Sequence, residues 1–237
     1  ERRRTYAVEG PALFASERDD PEVEETVTAT LADVIRFTPG NVLAFFPSYG
    51  EAERYHDRLF GGEGLDATGY LDRPGTRAQE LRETFATDGD GVLFTSLWGT
   101  LTEGVSFDGD DARSVVVVGV TYPHLDERTE AVADAYDRAY AERARSGWDY
   151  AVEIPTVRKT RQALGRVIRS PDDFGVRVLL DKRYTRASRD MGEYGVRDDF
   201  PAEERDELVD VAPEKLKFAM LNFFQDVGGY DGAPPRP

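Results

Sequence analysis

The stretch NVLAFFPSYGEAERYHDRL, residues 41–59, changes hydrophobic period once, at Pro47 and Ser48. The seven residues up to Pro47 are apolar almost without interruption. A run that short, rich in Val, Leu and Phe and closed by Pro, reads as a strand buried on both faces, as in the interior of a parallel sheet. From Tyr49 to Leu59 the apolar positions fall at helical spacing instead. Ser48 followed three residues on by Glu51 is a capping box, in which a hydroxyl and a carboxylate satisfy free amides at a helix start. The stretch is therefore a strand, a tight turn and a helix, the repeating unit of an α/β fold.

Three further runs have the character of residues 41–47: GVLFTS (91–96), SVVVVGV (114–120) and GVRVLLD (175–181). Helix-period segments lie around and between them, at 22–36, 49–59, 77–86, 128–145 and 157–168. Alternating strands and helices predict a three-layer α/β/α domain with a mainly parallel central sheet. No internal repeat is visible. The whole of 1–237 reads as one domain with a core of about 22–226, while ERRRTYAVEGP reads as chain entering from a preceding segment and 227–237 as a flexible tail. The sequence reads as a fragment of a longer protein.

Composition excludes several chemistries. With no Cys, disulfides, iron–sulfur ligation and thiolate zinc sites are ruled out, and His56 and His124 alone are too few for a histidine metal centre. No run of apolar residues is long enough to span a membrane, and the N-terminus lacks a secretory h-region, so the expected location is the cytoplasm. The formal net charge is -16, with four Lys against 26 Arg. Acids occur in every segment, a surface suited to a cytoplasm of very high salt, where screening removes self-repulsion. An ordinary acidic protein is the plainer alternative.

Against that background, residues 155–190 hold ten Lys and Arg with only four acids. Taken as a helix from 157 to 169, Arg158, Gln162, Gly165, Arg166 and Arg169 share one arc, opposite Val157, Leu164, Val167 and Ile168. Gly165 weakens such a helix, so its place among the cations suggests close approach of something to the backbone. Two arginines three residues apart can converge on a phosphate through planar, multidonor heads. The alternative is a solvated face pairing with nearby acids. Two loops complete the candidates. Ser48 and Tyr49 stand at a helix start that could contact a nucleic-acid backbone, or could serve helix initiation alone. The loop of about 17 residues after GVLFTS is long for a compact domain, and it contains Trp98, Glu103 and Phe107. No G-x-x-x-x-G-K-[ST] is present, and no apolar strand ends in an Asp-Glu pair. A domain acting on ATP with these residues would supply only half a site.

Taken in order, FFPSY, GTLTEGVSFDGD and QALGRVIR resemble the fourth, fifth and sixth motifs of the second motor domain of superfamily 2 DNA helicases of the XPD and DinG type. QALGRVIR fits Q-x-x-G-R-x-I-R at every fixed position, DKRY follows at the expected distance, and the resemblance covers roughly 40–184. It implies a RecA-like domain of a 5′ to 3′ ATP-dependent helicase. ATP with Mg2+ would be shared with a first motor domain carrying the P-loop, the magnesium-binding acids, an iron–sulfur insertion and an arch-like insertion. By the same resemblance Arg166 and Arg169 are catalytic, and Gln162, Glu103, Gly104 and Gly165 bind ATP. Ser48, Tyr49 and Thr95 would lie near single-stranded DNA, and this chain would hold no metal itself. Ser106 departs from the pattern, which has Asp there. Two rivals remain: a single-domain α/β transferase, for which PSYGEAE has too few glycines, and a degenerate domain that docks a protein partner through the basic helix.

Overall fold

Aromatic and branched side chains alternate across each inner strand, so both faces of the sheet must be covered. In the computed structural model, residues 2–62, 64–101, 105, 107, 111–123, 126–140, 146–166 and 173–237 are described. Seven strands, β1 (Arg3–Val8), β2 (Val42–Phe46), β3 (Thr68–Leu71), β4 (Gly91–Ser96), β5 (Ser114–Val118), β6 (Gly175–Leu180) and β7 (Leu208–Val211), form one sheet in the order β3-β4-β2-β5-β6-β1-β7. Every pairing is parallel, with Phe46 opposite Ser96 and Phe45 opposite Val117. One face is covered by α1 (Pro21–Phe37), α2 (Tyr49–Phe60) and the C-terminal helix, whose Leu31, Tyr55 and Phe224 pack on Val42, Ala44 and Phe46. Against Leu43 and Phe45 on the other face lie α3 (Ala78–Asp88) through Phe85 and α5 (Ile154–Leu164) through Val157, Ala163 and Leu164. Between them in sequence, α4 (Glu127–Ala139) buries none of its side chains. The remaining helices are α6 (Ala202–Asp206) and α7 (Pro213–Asp226), the latter being the C-terminal helix. This is the expected three-layer α/β/α arrangement.

Helix starts follow local chemistry. Asp20 caps α1 by accepting from the amides of Glu22 and Val23, with Pro21 just inside the helix. Ser48 Oγ accepts from Glu51 N at 3.2 Å, so the helix-initiation role is present whatever else Ser48 does. Gly89 ends α3 at φ 88°, a left-handed cap that favours glycine.

Two readings are corrected. The core begins well before residue 22, because residues 3–8 form a strand between β6 and β7, with Tyr6, Ala7 and Val8 buried. The helix expected over 157–168 begins earlier, at Ile154, and ends at Leu164; Gly165 is its C-cap and Arg166 lies in the following turn. At φ -73° this cap position is open to any residue, and the propensity cost expected of a glycine inside the helix does not arise.

In the loop after β4, Leu97, Leu101, Val105, Phe107 and Ala112 are all buried in the second core. Asn41 holds its far end, donating to the carbonyls of Asp111 and Phe85 while accepting from Gly91 N.

Candidate functional site

Chain direction brings the ends of β2, β3, β4, β5 and β6 to one edge, where ligands of open α/β sheets collect. Ser48 is exposed and Tyr49 half-buried at the end of β2. The Tyr49 hydroxyl lies across the loop after β4, accepting from Thr100 N at 3.4 Å. Close contact explains Gly99, where a Cβ would come within 2.6 Å of the Tyr49 oxygen. Thr95, at the end of β4, is 1% exposed and donates to Asp72 Oδ2 at 2.7 Å. It can act on a ligand only through its neighbours. Burial raises the Asp72 pKa, opposed by hydrogen bonds from Thr95 and Tyr49. Asp72 thus ties Thr95 and Tyr49 into one cluster. Sequence reading passed over it because β3, which it follows, was not recognised.

The second group lies along α5. Its exposed side carries Arg158, Arg161, Gln162 and, just past the end, Gly165, while Val157, Thr160, Ala163 and Leu164 are buried. For the described residues of α5 the predicted two-faced character holds; Val167, Ile168 and Arg169 lie outside them. Part of the charge is nevertheless paired inside the domain, since Arg161 forms a salt bridge with Glu204. That is the solvated-face alternative at one position. Arg166 behaves differently: its Nη1 donates to the carbonyl of Val105, 61 residues away in sequence. Among the described residues, a Cβ on Gly165 would meet carbonyls of its own turn, at 3.4 and 3.6 Å. Gln162, Gly165 and Arg166 share the C-terminal end of α5, and Ser48, Tyr49 and Thr95 share the strand-end cluster. Arg169, Glu103, Gly104 and Ser106 lie outside the described residues. Among the described residues, no group of three or more His, Cys, Asp or Glu is placed to hold a metal ion, and no helix is long and apolar enough to cross a membrane.

The loop after β4 touches both groups, Thr100 at the Tyr49 hydroxyl and Val105 at Arg166. Sequence spacing gives no hint of either contact.

Immediately before α5, residues Asp149–Glu153 form a π-helical turn, a feature that often marks functional positions. Glu153 is 6% exposed there. Burial above all, then Asp149 and Asp199, push its pKa up to about 8, with a hydrogen bond involving Trp148 acting in the opposite direction. Tyr122 also faces this carboxyl. With the folded pKa above the unfolded one, the carboxyl contributes stability in full below pH 4.5, and loses it as pH rises towards 8. Between pH 5 and 9 the loss should be on the order of 2–4 kcal/mol, or roughly 5–10 °C in melting temperature. Glu153→Gln, which keeps the neutral form, should flatten this dependence. Parallel melting profiles for parent and variant across that range would refute it.

Residues 31–193 match the family described as the helicase C-terminal domain. The helicase subunit XPD of general transcription and DNA repair factor IIH from Schizosaccharomyces pombe is 30% identical over 187 residues, covering 73% of this chain and 23% of that protein. The ATP-dependent DNA helicase DDX11 of Danio rerio is 28% identical, covering 71% and 21%. The chain thus spans less than a quarter of the length of these relatives. A solved XPD helicase structure superposes with a TM-score of 0.65 at 20% identity, over 89% of this chain and 35% of that one. S. tokodaii Xpd4 gives 0.61 at 19% identity, over 89% and 39%. At these identities the structural likeness concerns the fold.

Proposed function

The chain belongs to the helicase C-terminal domain family, and on that premise we propose that it is the second motor domain of an ATP-dependent DNA helicase of the XPD type. In this reading the helicase travels 5′ to 3′ on single-stranded DNA in the service of DNA repair, in the cytoplasm of a salt-loving cell. The relatives' names support DNA, ATP and repair as its context. The observation that carries the reading is the hydrogen bond from Arg166 to the Val105 carbonyl. It joins the Q-x-x-G-R segment to the loop whose other end rests on Tyr49.

ATP with Mg2+ would sit between this domain and a first motor domain of the same polypeptide. The residues here fit a phosphate: Gln162 and Gly165 are exposed, and Arg166 follows them at the end of α5. Carboxylates for the magnesium would come from the other domain. Arg166, with Arg169, would neutralise charge developing on the γ-phosphate, and Gln162, Glu103, Gly104 and Gly165 would serve the same cleft. Ser48 and Tyr49 would touch the DNA strand, with Thr95 positioning through Asp72. A shift of Arg166 as the cleft opens or closes would be felt at Val105 and passed along residues 97–107 to Tyr49, so grip on DNA would follow the nucleotide state.

The test uses both forms of the protein. This chain alone should hydrolyse no labelled ATP above the buffer rate, whereas the complete two-domain protein should show DNA-stimulated hydrolysis and unwind duplexes bearing a 5′ tail. Turnover by the chain alone would overturn the shared-site reading. A complete protein that never turned over ATP would instead be the degenerate docking module.

A further inference from the structure

We propose that Trp98, with Lys159 beside it, is a shelf on which a base of single-stranded DNA stacks, a contact additional to Ser48 and Tyr49. The inference rests on the DNA-binding reading above and extends it from backbone contact to base contact.

Single exposed aromatic residues are ordinary on protein surfaces. Trp98 differs in being exposed and held at the same time. It is 39% exposed, yet its indole Nε1 donates to the Thr121 carbonyl at 3.2 Å and its backbone amide donates to Ser96 Oγ at 3.3 Å. The ring is fixed between the ends of β4 and β5, on the edge where Tyr49 lies. A platform whose orientation is already set loses little conformational entropy when a flat ligand settles on it.

Charge narrows the ligand. Lys159 places its ammonium 5.2 Å from the centroid of the Trp98 ring. An aromatic face with a cation at hand fits a nucleobase together with its phosphate, the combination by which single-stranded nucleic acid is held without sequence preference. On a surface of net charge -16, local cations are needed wherever a polyanion is to approach. Asp72, which follows β3 at the same edge of the sheet, is buried and engaged by Thr95. The other exposed aromatic cluster makes the contrast. Tyr136 stacks on Tyr150 and Tyr140 with centroids 4.9 and 5.9 Å apart. The helix bearing Tyr136 carries Glu127, Glu130, Asp134 and Asp137 against Arg128 and Arg138, a net negative charge that repels phosphate. Aromatic area is present in both places, but the acids outnumber the cations beside Tyr136, whereas a cation lies against the ring at Trp98. Spacing connects the shelf to the existing track: Trp98 is two residues from Thr100, whose amide donates to the Tyr49 hydroxyl.

The chain has two tryptophans, so fluorescence can report on Trp98 once Trp148 is replaced. In a Trp148→Phe background, at the lowest KCl that keeps the chain folded, emission is titrated with oligothymidylate of about ten nucleotides and with an abasic strand of equal length. Labelled-strand anisotropy records binding independently. Expected results are quenching by the thymidylate, none by the abasic strand, and a roughly tenfold loss of thymidylate affinity in Trp98→Leu with abasic affinity unchanged. Trp98→Phe should restore most of the affinity. Thymidylate binding without quenching, or undiminished in a folded Trp98→Leu chain, would remove the shelf and leave the DNA track standing. Failure of both strands to bind would remove both.

Discussion

The complete two-domain protein carrying Arg166→Ala should turn over ATP in the presence of DNA at about a hundredth of the parent rate or less, the scale of losing an arginine that meets transition-state charge. Binding of a non-hydrolysable ATP analogue should weaken much less, because the interaction is strongest with charge that develops during reaction. Arg166→Lys should rescue little. A guanidinium can donate to the Val105 carbonyl with one nitrogen while another faces the phosphate, and a single ammonium cannot hold both directions. Folding should survive. The side chain is half-buried, and loss of its bond to Val105 should cost about 1 kcal/mol. Melting temperature and steady-state hydrolysis, measured on each variant, separate these effects. Hydrolysis near the parent rate in Arg166→Ala would make the contact to Val105 a purely structural one and leave the proposed ATP site without its central residue.

What could be read from the chain depended on how each element meets solvent. Strands β2, β4, β5 and β6 are covered on both faces and appear as apolar runs. Strands β3 and β7 are sheet edges: β3 has no fully buried residue and β7 exposes Val209, so each is four residues of mixed character. Strand β1 opens with arginines, and Arg177 on β6 donates to Thr5 and Glu207, so charge is accommodated inside the sheet near its end. That pairing has no local signature. In the candidate site, the cap formed by Ser48 and the two faces of α5 were legible because both are periodic or short-range. The Tyr49–Thr100, Thr95–Asp72 and Arg166–Val105 contacts span 51, 23 and 61 residues and arise only from the order in which strands assemble. Gly165 was placed inside a helix for a related reason: the point at which α5 stops, after Leu164, has no periodic signature.

In this chain, Asp181→Ala should destabilise folding by about 3–5 kcal/mol, the usual cost of stranding one member of a buried ion pair. Asp181 follows β6 in the DKRY segment and is fully buried, with Arg183 only 2% exposed. Its Oδ1 accepts from the backbone and Nε of Arg183 at 2.8 and 2.9 Å, and its Oδ2 accepts from Arg183 Nη2 at 2.7 Å and from Leu13 N at 2.9 Å. Arg183 in turn donates to the Leu13 carbonyl and lies 4.6 Å from the Phe14 ring. The pair therefore ties the segment after β1 to the strand-end edge, and removal of the carboxylate strands a guanidinium there. Replacing both partners by apolar residues, Asp181→Leu with Arg183→Met, should recover much of the loss, since the charge that needs compensation disappears with its partner. Salt distinguishes this interior effect from the acidic surface. Between about 0.1 and 3 M KCl the parent's melting temperature should climb as surface repulsion is screened. The deficit of Asp181→Ala should persist throughout, because a buried pair is reached only weakly by the screening ions. A flat parent series would remove the argument for a high-salt cytoplasm. A deficit that vanished at high salt would mean that the Asp181–Arg183 pair is solvated, and that the DKRY segment does not hold this edge of the sheet together.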